Sequence, residues 1–178
     1  MKPQKILLVF LIISFYAFSI PITKINITGN KNVSNDKILT LMKTKEGIEF
    51  DEKILKNDII TLIKTGYFKD IKYIAEKKDL GVELTIVVIE NPVIEKIVFD
   101  GNRKLKTKRI KEILELKEGD FFNEEKIFEG IEKIKEQYKK IGFHATEIDY
   151  EVEEKEGVCI VKIKIEEKGK GFVNKILF

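Results

Sequence analysis

Lys24-Ile25-Asn26-Ile27-Thr28-Gly29-Asn30-Lys31 returns 72 residues later as Lys96-Ile97-Val98-Phe99-Asp100-Gly101-Asn102-Arg103. Its first four residues open once more as Lys175-Ile176-Leu177-Phe178. In each full copy an alternating, β-branched run ends on Gly-Asn, which reads as a strand followed by a turn where glycine takes positive φ. A unit recurring at a fixed period of tens of residues is a repeated supersecondary module. The chain therefore reads as one small fold used twice, with a third copy begun.

The correspondence runs on past the turn. At the spacing of 72, Ile38 meets Ile110, Lys45-Glu46-Gly47 meets Lys117-Glu118-Gly119, Phe50 meets Phe122, and Asp51-Glu52 meets Asn123-Glu124. At a spacing of 76, Gly66-Tyr67 meets Gly142-Phe143, Val82 meets Val158 and Glu90 meets Glu166. The four added residues fall between Phe50 and Gly66, inside a helical pattern, where they lengthen a helix by about one turn and keep its face. Ile71 and Tyr73 meet Ile148 and Tyr150 at 77, so one further residue enters after the glycine.

Each unit reads strand, helix, helix, strand, strand. In the first, Ile22 to Ile27 is the opening strand, and Ser34 caps a short helix carrying Ile38, Leu41 and Met42, stopped by Gly47. Asp51 caps a second helix with Ile54, Leu55, Ile59, Leu62 and Ile63 on one side, closed by Gly66 in the left-handed position after the helix. Strands at about 69–76 and 82–90 follow, joined by the polar turn Lys77 to Gly81. In the second unit Thr107 caps the short helix, and Asn123 with Glu124 and Glu125 starts the long one, which closes at Gly142. Its next strand sets Thr146, Ile148, Tyr150 and Val152 on one face and Glu147, Asp149, Glu151 and Glu153 on the other. A strand with one polar face belongs to a sheet covered by helices on one side only, so the fold class is α+β.

Chemistry is sparse. His144 is the only histidine and Cys159 the only cysteine, so one chain assembles neither a histidine metal cluster nor a Ser-His-Asp triad, and no internal disulfide forms. His144 stands opposite Phe68 at the spacing of 76 and takes a structural role. Cys159 sits in a period-two apolar strand as a small buried hydrophobe. No phosphate-binding glycine loop occurs. Tyr67, Phe68, Tyr138 and Phe143, near the two glycines, read as core closure. No cofactor is expected, and no enzymatic activity. With Lys2 and Lys5 set aside, 33 basic residues against 30 acidic leave a net of about +1, an even mixture of a solvated surface and no nucleic-acid face.

Residues 1–19 differ in kind. Lys2 and Lys5 precede an apolar run from Ile6, and Ala17-Phe18-Ser19 supplies a small-x-small cleavage site, the pattern of a secretory signal. A retained anchor is the competing reading, although the run of about 15 residues falls short of the roughly 20 needed to span a bilayer.

The β-α-α-β-β order, the Gly29-Asn30 and Gly101-Asn102 turns, Gly66-Tyr67-Phe68, Gly142-Phe143-His144 and the link Val88-Ile89-Glu90-Asn91-Pro92 together resemble POTRA domains, the repeats of the outer-membrane protein assembly factors (BamA-like). The resemblance implies a signal at 1–19, POTRA domains at 20–91 and 92–168, and the start of a third at 169–178. Each domain would be a three-stranded mixed sheet covered on one face by two helices. It implies a periplasmic module that docks unfolded outer-membrane protein precursors and other assembly-complex proteins, tied to the outer membrane by a barrel in the full-length protein. Two alternatives stay open: a two-partner secretion or autotransporter-assembly transporter, and a cell-division scaffold of the FtsQ/DivIB type.

If the first strand of each unit pairs beyond the last, as the resemblance implies, the strands carrying Ile71 and Tyr73, and Glu147, Asp149 and Glu151, are exposed edges. Such edges can accept an extended peptide through main-chain hydrogen bonds. The amides free for this are expected at Glu147 or Asp149. The alternating charges equally discourage aggregation at that edge. Residues 172–178, lacking partner strands, are expected not to form a stable strand.

Overall fold

The computed structural model describes residues 20–169. The first unit comprises β1 (Ile22–Thr28), α1 (Asn35–Leu41), α2 (Glu52–Lys64), β2 (Phe68–Lys78) and β3 (Gly81–Glu90). The second comprises β4 (Val93–Asp100), α3 (Thr107–Leu114), α4 (Glu124–Lys140), β5 (Glu147–Lys155) and β6 (Val158–Glu166). Each sheet has three strands, ordered β1-β3-β2 and β4-β6-β5. The outer pairings differ: β1 and β4 run parallel to the central strand, β2 and β5 antiparallel. The expected α+β architecture is the one observed. The signal at 1–19 and the strand expectation for 172–178 lie outside the described residues.

Alternation on the central strands builds both cores. Leu84, Ile86 and Val88 of β3 face α1 and α2, joined by Ile38, Leu55 and Leu62. Val161, Ile163 and Ile165 of β6 do the same beneath Ile110, Leu114, Ile127, Ile131 and Ile134. Each such side chain contributes about 1.5–3 kcal/mol on burial, which holds the helices on one face and leaves the other to solvent.

Register corrects the internal alignment. Ile22 pairs with Val82 and Ile94 with Cys159, so the last strands correspond at 77 rather than 76. Val82 is 6% exposed and Val158 39%; the buried counterpart of Val82 is Cys159.

The long helices fit the four-residue insertion, α2 having 13 residues and α4 17. The Asp51 carboxylate accepts the N–H groups of Lys53 and Ile54, and the Asn123 side chain that of Lys126. Ser34 caps α1 by accepting from Lys37 N–H. Three expectations need correction. The α1 helix ends at Leu41, six residues before Gly47 could stop it. Thr107 is the first residue of α3, and Lys106, in Ser34's place, makes no side-chain cap. On α2, Ile54 and Ile63 are more than a third exposed, and the inward stripe is Leu55, Asp58 and Leu62. The Asp58 carboxylate is buried because it accepts the N–H groups of Lys43 and Thr44 at 2.9 and 2.8 Å, fixing the loop after α1.

Gly66 and Gly142 follow the two long helices with φ of +76° and +90°. Gly142→Val is expected to cost about 1–2 kcal/mol, the penalty of a left-handed non-glycine residue. Gly66→Val should cost more, since a Cβ there would stand 2.5 Å from Asn123 Nδ2 and disturb the cap of α4. Urea melts of the two variants check both values, and an unchanged Gly142→Val midpoint would refute the first.

Candidate functional site

Four strand edges result from two open sheets, and the chain covers two of them in part. Along β1, Ile22 N–H donates to Ile48 O at 2.8 Å, Gly47 N–H to Ile22 O at 2.8 Å, and Phe50 N–H to Ile20 O at 2.9 Å. The same loop guards β4, with Ile94 N–H on Asp120 O and Gly119 N–H on Ile94 O at 2.8 and 2.7 Å. No backbone segment pairs with the outer side of β2 or β5 among the described residues.

Which amides face outward follows from alternation. Val82 N–H donates toward β1, to Pro21 O, so Glu83, Thr85 and Val87 address β2. Their partners Glu76, Ile74 and Lys72 turn inward, which leaves Ile71, Tyr73, Ala75 and Lys77 with outward main-chain groups. In the second unit Glu156 and Gly157 have φ of +52° and +85°, the primed two-residue turn whose closing pair, here Lys155 and Val158, exchanges both hydrogen bonds. By the same alternation Glu153, Glu151, Asp149 and Glu147 bond to β6. The outward amides of β5 therefore belong to Ile148, Tyr150, Val152 and Glu154, not to Glu147 or Asp149. Glu147, Asp149 and Glu151 instead present carboxylates to the open sheet face: Asp149 opposite Lys164, Glu151 opposite Lys162, and Glu147 ion-paired with Lys168.

Both edges are tied to their helices at equivalent points. Tyr73 OH donates to Glu52 Oε1 at 2.8 Å and Tyr150 OH to Glu124 Oε1 at 3.0 Å. The Glu52 bond and some burial raise the Tyr73 phenol; burial and then the Glu124 bond raise that of Tyr150. Lys56 and then Tyr73 hold the Glu52 carboxyl below its usual range. The residue types were readable, a tyrosine and a first-turn acid repeated together, but their pairing was not.

The turns after β1 and β4 are built alike. Asn30 Nδ2 donates to Val33 O and Asn35 Oδ1, and Asn102 Nδ2 to Leu105 O and Thr107 Oγ1, all at 2.8–3.0 Å. Each turn is also latched by a carboxylate from the end of the central strand. Glu90 accepts the N–H groups of Lys31, Asn32 and Val33 at 2.8–3.0 Å, and Glu167 those of Arg103 and Lys104 at 2.8 and 2.7 Å. The counterpart of Glu90 is thus Glu167 rather than Glu166, again a spacing of 77. Burial pushes the Glu90 carboxyl up, but the three N–H groups and Asn32's side chain together outweigh it and bring it below its ordinary 4.5.

A carboxyl depressed in the folded state stabilises fully above its unfolded value and loses that stabilisation as pH falls through the folded one. Glu90→Gln should therefore lower stability at pH 7 by about 1–2 kcal/mol and flatten the acid limb below about pH 4.5. Thermal melts across pH 3–7, with limbs of equal steepness, would refute this.

The aromatic residues divide between the units. Tyr138 and Phe143 serve the second core, with rings edge-on at 6.4 Å, while Phe68 closes the first. His144 is exposed, and Phe143 rather than His144 supplies the buried ring. Tyr67 reaches across the junction to Phe121, centroids 5.2 Å apart, and Asn91 ties the link to Tyr67 O and Gly66 O at 2.8 and 2.9 Å. Cys159 is buried, and burial raises its thiol. Among the described residues no His, Cys, Asp and Glu group has metal-site geometry, and no helix is long and apolar enough to cross a membrane.

The geometry defines a tandem of β-α-α-β-β repeats, each with one sheet edge left uncovered among the described residues. The chain belongs to the POTRA family: the family described as "POTRA: Surface antigen variable number repeat" matches residues 20–91 and 92–168. It is 27% identical over 104 residues to the outer membrane protein assembly factor BamA of Nitratidesulfovibrio vulgaris, a stretch covering 58% of this chain and 13% of that protein. Two solved structures share the fold. The N-terminal domain of Omp85 from Thermosynechococcus elongatus aligns with a TM-score of 0.61 at 23% identity, over 82% of this chain and 62% of that one. POTRA1-2 of the periplasmic domain of Omp85 from Anabaena aligns at 0.57 and 20%, over 85% and 98%.

Proposed function

We propose that the two POTRA repeats form a periplasmic polypeptide-binding and docking module of an outer-membrane protein assembly factor, assisting insertion of β-barrel proteins without catalysing a reaction. The observation that carries this reading is an uncovered antiparallel edge, β2 or β5, on each repeat of a chain similar to BamA. The partners are unfolded barrel precursors and other assembly-complex proteins, the signal at 1–19 directs export, and a barrel elsewhere in the full-length protein holds the module at the outer membrane. Domain limits of 20–91 and 92–168 belong to the same proposal.

Main-chain recognition suits clients of many sequences, because N–H and C=O groups are common to all of them. Affinity then follows outward backbone donors rather than side chains. Ala75 and Val152 occupy equivalent places on β2 and β5, opposite Leu84 and Val161, and Ala75 is exposed. Proline at either place removes an outward donor and spares the sheet's own ladder.

Ala75→Pro and Val152→Pro together should reduce crosslinking to an unfolded barrel precursor about tenfold, equivalent to 1.4 kcal/mol, with circular dichroism unchanged. Val152→Ala controls for the lost side chain. Exchanging Glu147, Asp149 and Glu151 for Gln, Asn and Gln should leave capture within a few-fold. Ile163→Pro, in the central strand, should unfold the repeat outright. Normal capture by the folded double proline variant would overturn strand addition at these edges.

A further inference from the structure

The loops guarding β1 and β4 match in backbone but not in side chains. In the first repeat Glu46 finishes the guard: its Oε1 accepts the Ile25 N–H, which faces away from β3, at 2.8 Å. Lys45 Nζ also bonds across to Leu39 O near the end of α1, so the loop's own side chains reach both β1 and α1. Ile97 occupies Ile25's place, with the ladder irregularity at the same point of both strands, and its N–H faces the equivalent groove. There Glu118, the counterpart of Glu46, lines the groove but turns to Lys111 instead of the strand, its carboxylate 3.9 Å from Lys111 Nζ. Among the described residues no loop carbonyl or side chain accepts the Ile97 N–H as Glu46 accepts that of Ile25. What remains is a groove of about 690 Å³, floored by the buried side chains of Ile97 and Leu116 and rimmed by Lys108, Lys111 and Lys117 together with Glu112 and Glu118.

The change on the helix agrees in sign. Lys108 and Lys111 of α3 stand where α1 carries Asp36 and Leu39, so the groove whose own carboxylate leaves the strand amide unbound is also the one that has gained cations. Glu112, on the same rim, is engaged by Arg109 at 3.2 Å. We propose that the β4–α3 groove is a docking site for an acidic extended segment of a partner polypeptide, one of whose carboxylates takes at the Ile97 amide the place that Glu46 takes at Ile25. Carboxylate acceptance by a backbone N–H is a charge-assisted bond, and the lysines supply attraction that salt weakens. Glu118 is then an internal competitor, drawn to Lys111 and able to take the Ile97 amide itself. This site lies on the opposite side of the sheet from β5 and stands or falls separately from strand addition there.

The test uses the full chain labelled with 15N and two capped pentapeptides, Val-Glu-Val-Glu-Val and Val-Gln-Val-Gln-Val. The acidic peptide should shift the Ile97, Lys108 and Lys111 amides with Kd at or below about 1 mM, and the Gln peptide should bind at least tenfold more weakly. Lys108→Gln with Lys111→Gln should cost at least tenfold with the fold intact by circular dichroism, and Glu118→Gln should tighten binding several-fold. Equal binding of the two peptides overturns the proposal. So does an Ile97 amide as protected from exchange as Ile25 in the free chain, because Glu118 would then already cover it. Shifts confined to Ile148, Tyr150 and Val152 would also overturn it, while supporting strand addition at β5.

Discussion

Gly101→Ala should destabilise the second repeat by about 2–5 kcal/mol, well beyond the about 1–2 kcal/mol expected of Gly119→Ala. Both glycines have left-handed backbones, φ +84° and +93°, so both substitutions carry the αL cost of about 1–2 kcal/mol. They differ in what the new methyl meets. At Gly119 nothing lies within 4 Å, whereas at Gly101 the Cβ would stand 2.0 Å from Ile165 O. Ile165 belongs to the central strand β6 and pairs with Ile148 of β5, so its carbonyl cannot retreat without disturbing that ladder. Overpacking of this kind adds about 1–3 kcal/mol, for a total of about 2–5 kcal/mol, against a stability of about 0.05–0.15 kcal/mol per residue. Urea denaturation followed by circular dichroism reads the difference directly. Gly101→Ala melting within 1 kcal/mol of Gly119→Ala would show that the turn relaxes freely. Gly29, whose Cβ would meet Val88 O at 2.1 Å, sets the same condition on the first repeat.

The turn glycines were legible because their requirement is local: a strand must end and the chain reverse within a few residues. The same holds for the caps at Ser34, Asp51 and Asn123, where a short acceptor precedes an apolar period. The extra helical turn in α4 was legible from a spacing that changed by four. What failed was parity. Val158, Cys159, Ile160 and Val161 are all apolar, so identity favoured matching Val82 to Val158, and only pairing with β4 shows that Cys159 faces the core. Thr107 is a good cap by type, but position decides capping, and the chain enters the helix at Lys106. The edge amides were misassigned for a related reason. Side-chain alternation on β5 was plain in the sequence, yet which backbone set faces outward is fixed by the Glu156-Gly157 turn. A site made of main-chain groups leaves no side-chain motif to find, and the β4 groove emerges only by comparing what Glu46 and Glu118 do.

Tyr138 joins helix, sheet and turn in the second repeat, and its removal should be the costliest single truncation there. The side chain is fully buried, its ring packs on Phe143, and its OH donates to Glu167 Oε1 at 2.8 Å. Burial and then this bond raise the phenol well above its ordinary value, so it stays a neutral donor throughout the physiological range. That same Glu167 oxygen holds the Arg103 and Lys104 amides, and the hydroxyl therefore helps fix the latch on the turn after β4. The first repeat has Leu62 at the matching place before its glycine, and its latch is completed by the Asn32 side chain at 2.9 Å instead. Tyr138→Phe keeps the packing and loses one charge-assisted bond, for an expected cost of about 1–2 kcal/mol. Tyr138→Ala adds the cavity and the lost ring contacts, for about 3–5 kcal/mol, a large part of the second repeat's stability, while the first keeps its own. Amide exchange resolves the two repeats in one experiment: protection should fall sharply across Glu147–Glu166 and persist across Phe68–Glu90. If Tyr138→Ala cost no more than Tyr138→Phe, the ring would not be a core element, and the latch alone would account for its burial.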